Sequence, residues 1–167
     1  LIQRASLAHN RDVAYNLGRI GILFVLYLLF GFVYFDLDAS NETGVQAMVG
    51  VIFMTSIFAG IIFMNSVMPV RVRERAVAYR ERTSFMYDAV PYSLSHAICE
   101  VPWVLLVTFV TVTPLYFMVG LVPTFEHYIF HVLMVFTVSM AFMSLGQLIA
   151  CLCATIQTAQ AGASAFI

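Results

Sequence analysis

The sequence predicts an all-α membrane protein, a polytopic helical bundle of four complete spans plus the start of a fifth, with a cytoplasmic amino terminus. Three observations carry that prediction. Of 167 residues, 62% are hydrophobic and only 10% charged, against about half and about a quarter in an ordinary soluble domain. The apolar residues fall in runs near the ~20 residues that a helix needs to cross the hydrocarbon layer. Every basic residue, finally, falls on one side of the bundle. A mean hydropathy of +0.92 cannot be hidden in one small core, because a globule of this size must still cover itself with polar surface. Lipid removes that requirement.

Residues 1–14 form an amphipathic approach helix on the cytoplasmic side, carrying Arg4 and Arg11. The first span covers about 15–35. Its one charge, Arg19, lies a turn from the end, where a guanidinium is expected to snorkel toward the head groups. The second span covers about 45–68, the third about 92–118 and the fourth about 128–153. The charge-free stretch after Tyr128 is too long for one crossing. The polar residues from Ala154 to Gln160 supply the break, and 161–167 begin a fifth span. Runs of this length exceed buried strands, and in lipid helices satisfy their own backbone groups. Leu1 at the start and an apolar run at the end make the chain read as a piece of a longer polypeptide.

Charge orients the bundle. There is no Lys, and the eight basic residues are all Arg. Three lie at or before the first span and five in 69–90, whereas the connections 36–44 and 120–127 hold only Asp36, Asp38, Glu42 and Glu126. Short-loop arginines mark the cytoplasmic side. The outer connection at 36–44 also holds Asn41-Glu42-Thr43, an acceptor pattern for glycosylation of Asn41.

Three cysteines, Cys99, Cys151 and Cys153, lie in apolar stretches and fit neither a disulfide framework nor a zinc site. They read as small apolar helix residues. A phosphate-binding P-loop needs a Lys and a Gly-rich turn, and this chain has neither. No Ser/His/Asp or Cys/His constellation, metal-ligand cluster or nucleic-acid-binding pattern is present, so no catalytic residue and no metal are expected.

The connection 69–90 is the most polar stretch. It alternates charge in Arg73-Glu74-Arg75 and Arg80-Glu81-Arg82, with Val77 and Tyr79 between. On a helix Glu74 meets Arg71 and Ala78, and Arg75 meets Tyr79. Two readings follow: a solvated topogenic loop on anionic head groups, or a docking element for a cytoplasmic partner. Glu100 is the carboxylate of the third span. A charge at mid-span costs on the order of 2.5–3.5 kcal/mol, and His96, one turn earlier on the same face, is its expected partner. Either Glu100 is a polar clamp between helices near a gate, followed by a bend at Pro102, or it is a proton relay or substrate contact. A clamp is expected to tolerate Gln; a relay is not.

The stretch from Glu74 to Arg82, followed by Met86-Tyr87 and Pro91-Tyr92, resembles the first intracellular loop of G-subfamily ATP-binding-cassette exporters of the pleiotropic-drug-resistance type. Glu100-Val101-Pro102-Trp103 is similar to that family's Glu-apolar-Pro motif, and Tyr116 to Leu121 to its span-three ending. The likeness runs from Arg11-Asp12-Val13-Ala14-Tyr15-Asn16 to the start of span five, most like the second transmembrane domain of a full-size member. The resemblance implies an ATP-driven exporter of lipophilic or amphipathic molecules or lipids, and by the family's habit alone a plasma-membrane protein. It implies that Glu74, Arg75, Tyr79, Arg80 and Glu81 couple to a nucleotide-binding domain on the same polypeptide, with ATP and Mg bound there and not here. It also implies a second transmembrane domain as partner, and a cavity lined by Phe58, Ile62 and Asn65, which share one helical face. Packing against lipid or helices explains that stripe equally well. The competing reading is an ion-coupled carrier or channel using His96 and Glu100.

Overall fold

The computed structural model describes residues 9, 13–37, 41–84, 86–153 and 155–164, and these form helices and turns with no strand among them. Five helices follow in order: α1 (Val13–Val33), α2 (Glu42–Thr83), α3 (Ala89–Val119), α4 (Phe125–Leu152) and α5 (Ile156–Ser164). The first four are long and apolar enough to cross a membrane. The expected approach helix over 1–14 lies almost wholly outside the described residues.

α2 departs most from expectation. A second span ending near Met68 was to give way to a loop; instead, one helix of 42 residues continues through Pro69 to Thr83. At 1.5 Å per residue it is about 63 Å long, roughly twice the ~30 Å hydrocarbon layer. Proline removes one backbone donor but need not end a helix whose neighbours hold it. Here Asn65 Nδ2 donates to the Ile61 carbonyl at 2.9 Å and Arg73 Nε to that of Pro69 at 3.2 Å, so polar side chains flank the interruption. α3 likewise runs uninterrupted through Pro102 and Pro114. Pro102 lies inside α3, as the expected span of 92–118 has it.

α3 ends where Gly120 takes φ 77°, the left-handed conformation that glycine adopts at least cost. There the α3 carbonyls of Met118 and Val119 accept from the backbone N–H groups of Asp36 and Leu37 at 3.0 and 3.2 Å, tying the end of α1 to the end of α3. The break before the last helix is shorter than the 154–160 expected. α4 is capped by Cys153, and α5 is already helical at Ile156.

The helices pair as α2 with α4 and α1 with α3, with smaller contacts closing the bundle. Tyr27 of α1, Phe63 of α2, Val104 and Leu115 of α3 and Val135 of α4 meet in the central core. Small residues permit the closest approach, as is usual where lipid gives no hydrophobic drive between helices. A Cβ on Gly146 of α4 would stand 2.7 Å from the Met64 carbonyl oxygen of α2, and one on Gly60 of α2 the same distance from the Phe142 ring. α5 adds Ala159 and Ala163, both fully buried, against Met64, Met68, Ile149 and Ala150.

This packing sets a first prediction. Gly146→Val forces α4 away from the α2 backbone and destabilises the full-length protein by about 1–3 kcal/mol, read as a lower thermal midpoint in detergent. Gly50→Val, where an added Cβ meets nothing within 4 Å, leaves the midpoint within error.

Candidate functional site: a buried ion pair and an arginine-lined end

Arg19 does not snorkel. It is 2% exposed and Glu100 is 3% exposed, and their side chains meet at 2.9 Å between Arg19 Nη1 and Glu100 Oε2. Arg19 Nε donates to Ser66 Oγ on α2 at 2.8 Å, and the Tyr15 hydroxyl donates to Glu100 Oε1 at 2.9 Å. The guanidinium also stands 3.8 Å from the centre of the Tyr15 ring and 5.1 Å from that of Phe63, an arrangement that favours a cation. His9 Nε2 lies 3.8 Å from Glu100 Oε2. One cluster thus joins α1, α2 and α3.

His96 is not the partner of Glu100. Its Nδ1 lies 3.7 Å from Glu74 Oε2 on the extension of α2, and its ring meets the edge of Tyr92 at 4.6 Å. The reason is chemical as well as geometric. A guanidinium is charged at any physiological pH and presents several donors to a carboxylate, whereas imidazole is a conditional cation. Both oxygens of Glu100 are engaged by α1, so the carboxylate bridges α1 and α3. The clamp differs from the expected one, because its partner is a full charge. Replacing Glu100 by Gln would strand that charge, so tolerance of Gln is no longer expected of a clamp.

The five residues assigned to coupling separate into two groups. Glu74 and Arg75 turn inward. Glu74 lies 3.6 Å from Arg71 Nη1, the i,i+3 pair foreseen from spacing. Arg75 Nη1 donates to the Cys153 and Ala150 carbonyls at 2.6 and 3.4 Å, rather than meeting Tyr79. These are last-turn carbonyls of α4, where a cation is favoured by the helix dipole. Tyr79 and Arg80 are exposed, and Glu81 accepts from the Tyr87 hydroxyl, bracing the turn between α2 and α3. The inner pair fastens the α2 extension to the bundle through α3 and α4.

Phe58, Ile62 and Asn65 are half-buried on α2. Phe58 packs on Phe30 of α1 with ring centres 5.6 Å apart, Ile62 lies against the core and Asn65 bonds its own helix. Asn41 is the exposed N-cap residue of α2. Sequence reasoning missed Arg19, Tyr15 and Ser66 as a site. A signal was there: Arg19 and Glu100 stand at opposite signs inside spans at similar depth.

A family model described as ABC-2 type transporter matches residues 1–167. ABC transporter G family member 36 of Arabidopsis thaliana is 37% identical over 112 residues, which is 66% of this chain and 8% of that protein. ABC transporter G family member 41 of Oryza sativa subsp. japonica is 30% identical over 169 residues, 99% of this chain and 12% of that protein. Pleiotropic drug resistance protein 1 of Petunia hybrida is 32% identical over 112 residues, 66% of this chain and 8% of that protein. The chain thus spans 8–12% of the length of these curated relatives.

The ion pair yields the second prediction. Glu100→Gln leaves the Arg19 charge buried and unpaired, a loss of about 3–5 kcal/mol, so folded, monodisperse full-length protein falls sharply on size-exclusion chromatography. A normal folded yield with transport abolished would instead identify a proton relay.

Proposed function

We propose, from the premise that this chain belongs to the ABC-2 type transporter family, that it is the membrane-spanning part of an ATP-driven exporter of lipophilic or amphipathic small molecules or lipids. Its helices line the path, and its arginine-rich end receives force from a nucleotide-binding domain. The observation that carries the reading is the continuity of α2. One helix holds Phe63 and Val67 in the bundle core and, without a break, carries Tyr79 and Arg80 into the polar end. A push on the exposed end moves the core, because helices are stiff along their axis and packed interiors transmit strain.

The arginine-rich end faces the cytoplasm by the distribution of short-loop arginines, which puts the amino terminus inside. ATP and Mg bind the nucleotide-binding domain. That domain shares the polypeptide, in keeping with relatives many times longer than this chain. A second transmembrane domain completes the path, with the Phe58, Ile62 and Asn65 face of α2 turned toward substrate. An apolar face bearing one amide suits large amphipathic molecules. The plasma membrane is the proposed location. An ion-coupled carrier through His96 and Glu100 is disfavoured, since Glu100 is committed to Arg19 and Tyr15.

Charge reversal at exposed Arg80 tests the coupling. In the full-length transporter, Arg80→Glu leaves folded yield and basal ATP hydrolysis near wild type but cuts substrate-stimulated hydrolysis and transport severalfold. Both activities unchanged would remove the coupling assignment.

A further inference from the structure

Thr83 is the last residue of α2 and is exposed, as are Arg80, Arg82 and Ser84 around it. In the whole sequence no other Ser or Thr stands three positions after an Arg, as Thr83 does after Arg80. Arginine-directed protein kinases read that spacing, because carboxylates beside their active site select substrates by charge. The local structure leaves the hydroxyl open to such a reader. Thr83 Oγ1 donates to the Arg80 carbonyl at 2.8 Å, but the backbone N–H and the hydroxyl of Ser84 reach the same carbonyl at 3.2 and 3.0 Å. Losing the Thr83 donor therefore leaves that carbonyl satisfied. Terminal turns open at little cost, which lets residues 80–84 extend into a kinase cleft.

Charge gives a phosphate on Thr83 a consequence. Arg80 lies one turn earlier on the same face of the helix, at i,i+3 spacing. Its Nε reaches the Ala76 carbonyl at 3.4 Å, and neither Arg80 nor Arg82 forms an ion pair among the described residues. The neighbouring carboxylate, Glu81, is engaged by the Tyr87 hydroxyl. A phosphothreonine brings about −1.5 to −2 charges and three acceptor oxygens, which guanidiniums bind through paired donors. The dipole at a helix C-terminus opposes an anion, so the two arginines hold the phosphate and the end of α2 does not. We infer that Thr83 is a phosphorylation site for an arginine-directed Ser/Thr kinase, and that its phosphate captures Arg80 and switches the coupling face off. In the transfer, the bond from Thr83 Oγ1 to the γ-phosphorus of ATP forms as that from the phosphorus to the β–γ bridging oxygen breaks. ADP leaves, and the hydroxyl proton passes to the kinase's carboxylate base. The site rests on the cytoplasmic placement of this end, and the switch rests on the coupling proposed above.

Peptide mass spectrometry of the purified full-length transporter, after reaction with Mg-ATP and an arginine-directed kinase of the calmodulin-dependent class, reads phosphate residue by residue. Wild type carries phosphate on Thr83. Arg80→Gln lowers that occupancy severalfold, and Thr83→Ala removes it with folded yield unchanged. Substrate-stimulated ATP hydrolysis of the phosphorylated wild type falls severalfold, as it does in Arg80→Glu. Thr83→Ala treated with the same kinase keeps its full stimulation. No phosphate on Thr83, phosphate on Ser84 in its place, or occupancy indifferent to Arg80→Gln would overturn the site. Phosphate on Thr83 with stimulation intact, where Arg80→Glu loses it, would overturn the switch. A silent Arg80→Glu would remove the coupling reading and the switch together, while occupancy alone still decides the site.

Discussion

A charge placed in hydrocarbon has to find its counter-charge, and in this bundle Arg19 and Glu100 find each other. Neither is tolerable alone at 2% and 3% exposure, since desolvating an ion costs several kcal/mol that only a close, hydrogen-bonded partner offsets. Because one member is on α1 and the other on α3, the pair fixes the depth of one helix relative to the other. Ser66 brings α2 into the same register through its hydrogen bond to Arg19. At the opposite end of the bundle, the backbone bonds from Asp36 and Leu37 to the end of α3 hold the same two helices again. α1 and α3 are thus pinned at both ends, by charge at one and by backbone at the other.

The second helix pair is held differently. α2 and α4 approach through Gly60, Gly146 and small neighbours, where contact is close because side chains are missing. Arg75 then reaches from the α2 extension to the last carbonyls of α4. A rod roughly twice the thickness of the hydrocarbon layer is in this way held to a partner helix near its midpoint at Gly60 and again at Arg75, two turns from its end. In the exporter proposed above, such a part would pass motion from the polar end to the core, and the ion pair would pass it on from α2 to α1 and α3. Clamp and lever belong to one mechanical unit.

The spans were legible in the sequence because lipid imposes a length and an apolar composition that chance rarely produces. The arginines of 69–90 were legible as a distinct element for the same reason, being the exception to that composition. What could not be read was which way side chains turn. Arg19 lies a turn from the start of its span, where snorkelling and pairing are both open, and only the packing of α1 against α3 selects pairing. Helix spacing makes His96 the neighbour of Glu100, but spacing says nothing of a stronger cation on another helix. Pro69 signalled a stop by local rules, yet α4 and α5 support the helix on either side of it. The Arg75 cap on α4 joins residues 78 positions apart, beyond any local pattern.

The central claim is that Arg19 and Glu100 act as one energetic unit on which helix register depends. A double-mutant cycle measures that directly: thermal stability of the full-length protein as wild type, Arg19→Met, Glu100→Met and the combined variant. The account predicts strong loss in each single variant and substantial recovery in the double, with an interaction energy of about 2 kcal/mol or more. Additive losses, with the double variant weaker than either single one, would contradict it.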